Sequence, residues 1–121
     1  MQRTYPFRSL LDAGTRLAGG SDCPVAPPHP LWGSAASRDR RGLVPEEGLT
    51  PDEALRLFTL DAAAAIGEDG SLDPGAPASF TILDDDPVTA TPDELRTMKV
   101  LGVWVEGVET EIPAGTVAWK G

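Results

Sequence analysis

Proline and glycine recur so often along this chain that only short helices and strands fit between them. Thirteen glycines and twelve prolines fall within 121 residues. Proline inside a helix removes a backbone donor and clashes with the preceding turn, and glycine loosens either kind of element. The pattern therefore predicts brief elements joined by frequent turns, in a chain of the length that suits one small domain.

Read in order, "YPFRSLLDAG" puts Pro6 near a helix start, Phe7, Leu10 and Leu11 at i, i+3, i+4, and Gly14 at the stop. "TRLAG" reads as a brief strand, buried if Leu17 and Ala18 both pack. Residues 23–33, "CPVAPPHPLWG", hold four prolines and predict a shaped loop with no helix or central strand. "SAASRDR" predicts one or two helical turns. The clearest element is "LTPDEALRLFTLDAAAAIG": Thr50 as N-cap, Pro51 at the first helical position, Glu53 closing a capping box, and Gly67 ending the helix. Its predicted apolar face is Leu55, Phe58, Ala62, Ala65 and Ile66. "DPG" then marks a turn, Phe80 to Leu83 a strand, and "TPDEL" a second helix start. "KVLGVWVEGVETEI" reads as a β-hairpin turning at "EG". The change of character near residues 67–70 predicts a boundary, with 1–67 one segment and 68–121 the other.

Charge and cysteine content exclude several roles. Ten basic against nineteen acidic residues leave a formal charge of −9, and the basic residues cluster only at "SRDRR". That is the opposite of the basic footprint of a nucleic-acid binder, so no nucleic-acid partner is expected. No apolar run approaches a membrane span or a signal h-region, so no membrane partner is expected either. The single cysteine, Cys23, cannot form an intramolecular disulfide and fits a reducing, cytoplasmic setting.

Few residues offer chemistry. Asp22, in "GGSDCP", is either an ordinary turn aspartate or a functional carboxylate, and its immediate neighbours leave both readings open. Cys23 needs a base and a lowered pKa to serve as a nucleophile, and a structural thiol is the simpler reading. His29 is the only histidine of the chain, and with one Cys and one Asp nearby it matches no zinc-ligand spacing. "DDD" at 84–86 lacks the spacing of a calcium loop and reads as a turn before Pro87. "AGG" at 18–20 lacks the lysine of a phosphate-binding loop.

Taken together, "YPFRSLLDAGTRLAGGSDCPV", "PLWGSAASR", "LTPDEALRLFTLDAAAAIG", "GSLDPGAPASFTILDDDP" and "VWVEGVET" resemble, in order, the C-terminal portion of the metal-dependent amidohydrolase superfamily. The nearest branch is amidohydrolase family 3, which includes N-substituted formamide deformylase-like enzymes. The resemblance implies an α/β fold class: the last βα unit of a TIM-type (β/α)8 barrel followed by the C-terminal part of a small β-sandwich. It implies that Asp22 ends the last barrel strand at the barrel mouth, where barrel active sites lie. There it serves as the catalytic and metal-site carboxylate, taking a proton from metal-bound water and passing it to the leaving nitrogen. His29 and Arg38 would line the substrate pocket. The implied cofactor is a divalent metal, zinc, in the full-length parent, and none is expected in this chain alone.

Two departures qualify that likeness. The turn reads "PGAPAS" where the family commonly has a "GKxAD" pattern, which touches the sandwich and not the chemistry. The family's His-x-His pair and its further histidines are missing from these residues, so Asp22 can meet a metal only if the missing ligands are supplied. The expected function is that of a C-terminal fragment of a hydrolase for non-peptide carbon–nitrogen bonds in a small-molecule amide, formamide or cyclic amide, inactive on its own. The alternative is a non-catalytic oligomerising or binding domain, or one part of a split enzyme. Its partner would be a second copy or a chain carrying the missing barrel, since exposed strand edges and apolar patches associate.

Overall fold

A computed structural model describes residues 4–112. The first helix, α1 (Phe7–Asp12), begins after Pro6 and is braced by an i,i+4 pair, Arg8 Nε to Asp12 Oδ1 at 3.0 Å. Gly14, at φ +82°, takes the left-handed backbone that ends it. The predicted helix is present, but its apolar face is narrower than the spacing suggested. Phe7 and Leu11 pack inward, while Leu10 remains 36% exposed.

Residues 15–20 form no strand, contrary to the sequence reading, and Ala18 is exposed. A parallel strand is held by ladders to its neighbours, and no strand lies beside this one among the described residues. Only Leu17 packs, and Gly19 donates its N–H to Leu57 O at 2.8 Å. The proline-rich loop ends sooner than predicted. Helix α2 (Pro30–Asp39) begins at Pro30, so "PLWG" is helical. Pro30 sits at the first helical position, where its missing N–H costs nothing and its fixed φ suits the helix. At the other end Arg40 (φ 56°), Arg41 (φ 47°) and Val44 (φ 47°) wind left-handed through two short 3-10 turns. Buried Arg40 anchors that winding: its guanidinium donates to Leu43 O and Thr4 O and lies 4.9 Å from the Phe7 ring centre.

The long helix predicted over 50–66 is two helices, α3 (Pro51–Leu57) and α4 (Leu60–Ala65). The capping box is as expected: Thr50 Oγ1 accepts from Glu53 N–H at 3.3 Å, and Glu53 Oε2 accepts from Thr50 N–H at 2.9 Å. At the far end Phe58 (φ −106°, ψ 4°) and Thr59 (φ −125°, ψ −98°) leave helical geometry, and the Thr59 hydroxyl bonds back to Leu55 O at 2.9 Å. The break rotates the buried face. Ala54 and Leu57 are buried and Phe58 is half-buried, whereas Ile66, assigned to the core from spacing, is 77% exposed.

The rest is a mixed extension with a three-stranded antiparallel sheet, β1 (Phe80–Leu83), β2 (Val100–Val105) and β3 (Val108–Thr110), in the order β1-β2-β3. The "DPG" turn is present, with Gly75 at φ +96° and Ala76 N–H bonded to Asp73 O. The "EG" turn has both central residues at positive φ, Glu106 and Gly107, which suits the twist of a two-residue hairpin. Between β1 and β2 lies α5 (Pro92–Thr97), capped by Thr91 and Glu94 in the manner of α3. Two apolar clusters result. Leu49, Ala54 and Leu57 gather Phe7, Leu11, Leu17 and Phe58. Leu31 and Ala35 of α2 meet Ala90, Leu95 and Met98 around α5, with Leu95 fully enclosed.

Candidate functional site

The backbone places Asp22 before it gives the residue any chemistry. After Gly19 the chain makes a tight turn in which Val25 N–H bonds to Asp22 O at 2.8 Å and Ala26 N–H to Ser21 O at 3.3 Å. Asp22 itself sits at φ +51°, a left-handed conformation that aspartate tolerates better than most residues. The residue is a turn aspartate, exposed at the apex. Cys23 is exposed beside it, and the Cys23–Pro24 bond is cis.

His29 occupies the N-cap position of α2, where its carbonyl accepts from Trp32 and Gly33 N–H. Its ring stacks on Trp32, with centres 5.2 Å apart and planes 24° from parallel. Nδ1 is buried without a hydrogen-bond partner, and burial pushes the imidazole below its ordinary pKa. Trp32 in turn donates Nε1–H to Arg96 O at 3.0 Å. The spacing "HPLW" carried a signal for this i,i+3 stack that a reading of the prolines as loop obscured.

Arg38 lies nine residues beyond His29, about 13 Å along a helix axis. Its Nη1 donates to Ala90 O at 2.8 Å, tying α2 to the approach of α5. Beside it Arg96 Nη2 reaches Asp39 Oδ2 at 2.8 Å, and Arg96 Nη1 reaches Asp93 at 3.0 Å. The fold thus carries Asp22 and His29 on one segment and leaves Arg38 at the far end of α2. The three acidic residues 84–86 serve backbone: Asp84 accepts from Lys99 N–H, Asp85 from Asp86 N–H, and Asp86 from Val88 N–H. A cleft of about 250 Å³ between α1 and α3 is lined by Arg8, Leu11, Glu53, Arg56, Leu57 and Asp61. Its charges are paired with one another, and none of those residues belongs to the Asp22 segment.

A divalent metal does not fit these residues as a set. Among the described residues no three His, Cys, Asp or Glu side chains converge to hold one, and a catalytic zinc needs three protein ligands. No described helix is long and apolar enough to cross a membrane. Sequence reasoning assigned Phe58 to a helix face and missed that its ring also lies in the space left by Gly19 and Gly33.

The family model for the amidohydrolase family matches residues 1–110. The chain is 40% identical over 114 residues to an N-substituted formamide deformylase of Arthrobacter pascens, covering 88% of this chain and 21% of that protein. It is 28% identical over 118 residues to the putative amidohydrolase YtcJ of Bacillus subtilis, covering 88% and 22%. It is 34% identical over 124 residues to an imidazolonepropionase of Geobacillus kaustophilus, covering 97% and 26%. The chain therefore spans about a fifth to a quarter of the length of these relatives. No solved structure matches it significantly. The ordered motifs, the family match over residues 1–110 and the 40% identity to a deformylase converge: this chain belongs to amidohydrolase family 3.

Proposed function

We propose that the chain is the C-terminal segment of a metal-dependent hydrolase acting on non-peptide carbon–nitrogen bonds, and that it has no turnover alone. The observation that carries this reading is the coverage of the deformylase of Arthrobacter pascens, with 88% of this chain matched against 21% of that protein. The fold it implies is the last βα unit of a barrel, residues 1–67, followed by part of a β-sandwich, residues 68–121, in a cytoplasmic protein. The substrate class is a small amide, formamide or cyclic amide. Asp22 is the group that accepts a proton from the attacking water and returns it to the leaving nitrogen, and its exposed place on a tight turn suits that task. The metal would need ligands from outside the described residues.

The test is a chimaera in which this chain replaces its counterpart in the Arthrobacter deformylase. Expected are hydrolysis of an N-substituted formamide by the chimaera, its loss in Asp22→Asn, and neither turnover nor stoichiometric metal in the free chain. Turnover by the free chain with bound metal, or an Asp22→Asn chimaera as active as its parent, overturns the reading.

A second reading, a non-catalytic oligomerising domain, is favoured by one face of the sheet. Val105 pairs with Val108 across the hairpin, and Leu101 shares their face. They are 51%, 67% and 60% exposed. An apolar face of this kind associates with a second copy or with a chain carrying the missing barrel. Light scattering that finds a monomer at micromolar concentration counts against self-association.

A further inference from the structure

We propose that Phe58 is the positioning residue for the Asp22 segment, its ring closing residues 19–33 at both ends like a clasp. The role of the segment in hydrolysis rests on the function proposed above, whereas the clasp stands on geometry alone. A Cβ added at Gly19 would lie 2.7 Å from both Cε1 and Cζ of Phe58, and one added at Gly33 would overlap Cζ. Neither glycine needs its freedom of backbone, since neither has positive φ. Gly33 lies inside α2, where glycine costs about 1 kcal/mol relative to alanine, so its presence calls for another reason. The reason is space. The two glycines leave a seat that the ring fills.

The break between α3 and α4 creates this arrangement. Carbonyls in the last turn of a helix lack intrahelical partners, and the Leu57 carbonyl, freed there, accepts the Gly19 N–H at 2.8 Å. The ring of the next residue then enters between Gly19 and Gly33. Between those two points the segment has little else to hold it. Among the described residues the hydrogen bonds of residues 20–28 are local: Val25 to Asp22, Ala26 to Ser21, and His29 to Pro27. Cys23, Pro24, Val25 and Ala26 are all exposed. The segment carrying Asp22 and His29 is therefore placed by its ends, and Phe58 touches both ends. Without the ring, the Asp22 turn keeps its local bonds but loses its fixed position relative to α2 and α3.

The experiment is solution NMR on the free chain, read out independently of any hydrolysis. In Phe58→Leu, the amide order parameters of Ser21, Asp22 and Val25 are expected to drop from about 0.85 to below about 0.6, and the Leu95 and Met98 methyl signals should stay in place. Gly33→Ala pushes the ring out and should produce the same drop. In the double variant Phe58→Leu/Gly33→Ala, the new methyl refills part of the seat and the order parameters should return toward the parent. Unchanged order at Asp22 in Phe58→Leu overturns the proposal. So does a double variant no better ordered than Gly33→Ala alone, which also decides the matter if Phe58→Leu does not fold. A confirmed clasp with an inactive chimaera would reject the hydrolase reading alone, and an active chimaera with no clasp would reject only the clasp.

Discussion

Glu53 closes two structures at once, and replacing it with glutamine separates them. Its two carboxylate oxygens take the Arg8 guanidinium in a paired grip, Nη1 to Oε2 at 2.7 Å and Nη2 to Oε1 at 2.8 Å, joining α1 to α3. Oε2 also accepts the Thr50 N–H of the capping box. The Arg8 hydrogen bond is the largest cause of a carboxyl pKa lowered from 4.5 to about 2, opposed by partial burial and helped by the Thr50 bonds. Glutamine still caps the helix, since a side-chain amide oxygen can take the Thr50 N–H, but it cannot take part in the charged pair. The shift sets a ceiling of about 3 kcal/mol on what ionisation of Glu53 contributes. The Glu53 side chain is 30% exposed, so screening reduces that to about 1–2 kcal/mol. The sign follows from the lowered pKa. The contribution is fully present above pH 4.5 and is lost as pH falls through about 2. Urea unfolding followed by far-UV circular dichroism should show Glu53→Gln less stable by about 1–2 kcal/mol at neutral pH. The gap between the two proteins should close between pH 4.5 and 2. A gap that keeps its size across that window would refute the reasoning, because the loss would then belong to the cap or to packing.

Two further outcomes are expected. Leu95→Ala removes the fully enclosed side chain where α2 meets α5, and urea unfolding should record a loss of about 2–5 kcal/mol. A loss below about 1 kcal/mol would mean that the cluster around Leu95 contributes little to stability. Burial lowers the His29 pKa, so the unfolded chain binds a proton at higher pH than the folded one. His29 therefore makes stability fall as pH drops below 6.5 through the folded midpoint. His29→Asn should flatten the stability profile in that window, and an unchanged profile would remove His29 as its source.

What was legible in the sequence followed from local chemistry. "TPDE" occurs twice, and both copies form the same cap because Thr, Pro and Glu satisfy the first-turn donors with atoms of their own segment. "EG" turned where expected because both of its residues accept positive φ. The strand expected at 15–19 failed for a non-local reason, since a strand depends on a neighbour that these residues do not supply. For the candidate residues the sequence offered types and likeness, and their arrangement came only with the structure. Asp22 and His29 were chosen from their types and from family likeness, whereas the bonds from Trp32 to Arg96 and from Arg38 to Ala90 join elements far apart in the chain.

The sequence alone determined the capping boxes, the turns, the acidic charge and the family to which the chain belongs. Each of those depends on a residue and its near neighbours, or on the order of motifs. Only the tertiary structure decided that the long helix breaks at Phe58, that Ile66 faces outward, and that Gly19 and Gly33 admit one aromatic ring between them. Periodicity assigns a face to an unbroken helix, and it cannot foresee a ring that leaves the helix to fill a gap between two distant glycines. That gap exists only once α2, α3 and the Asp22 segment have packed together, because the close approach of separate elements is set by packing and not by local propensity.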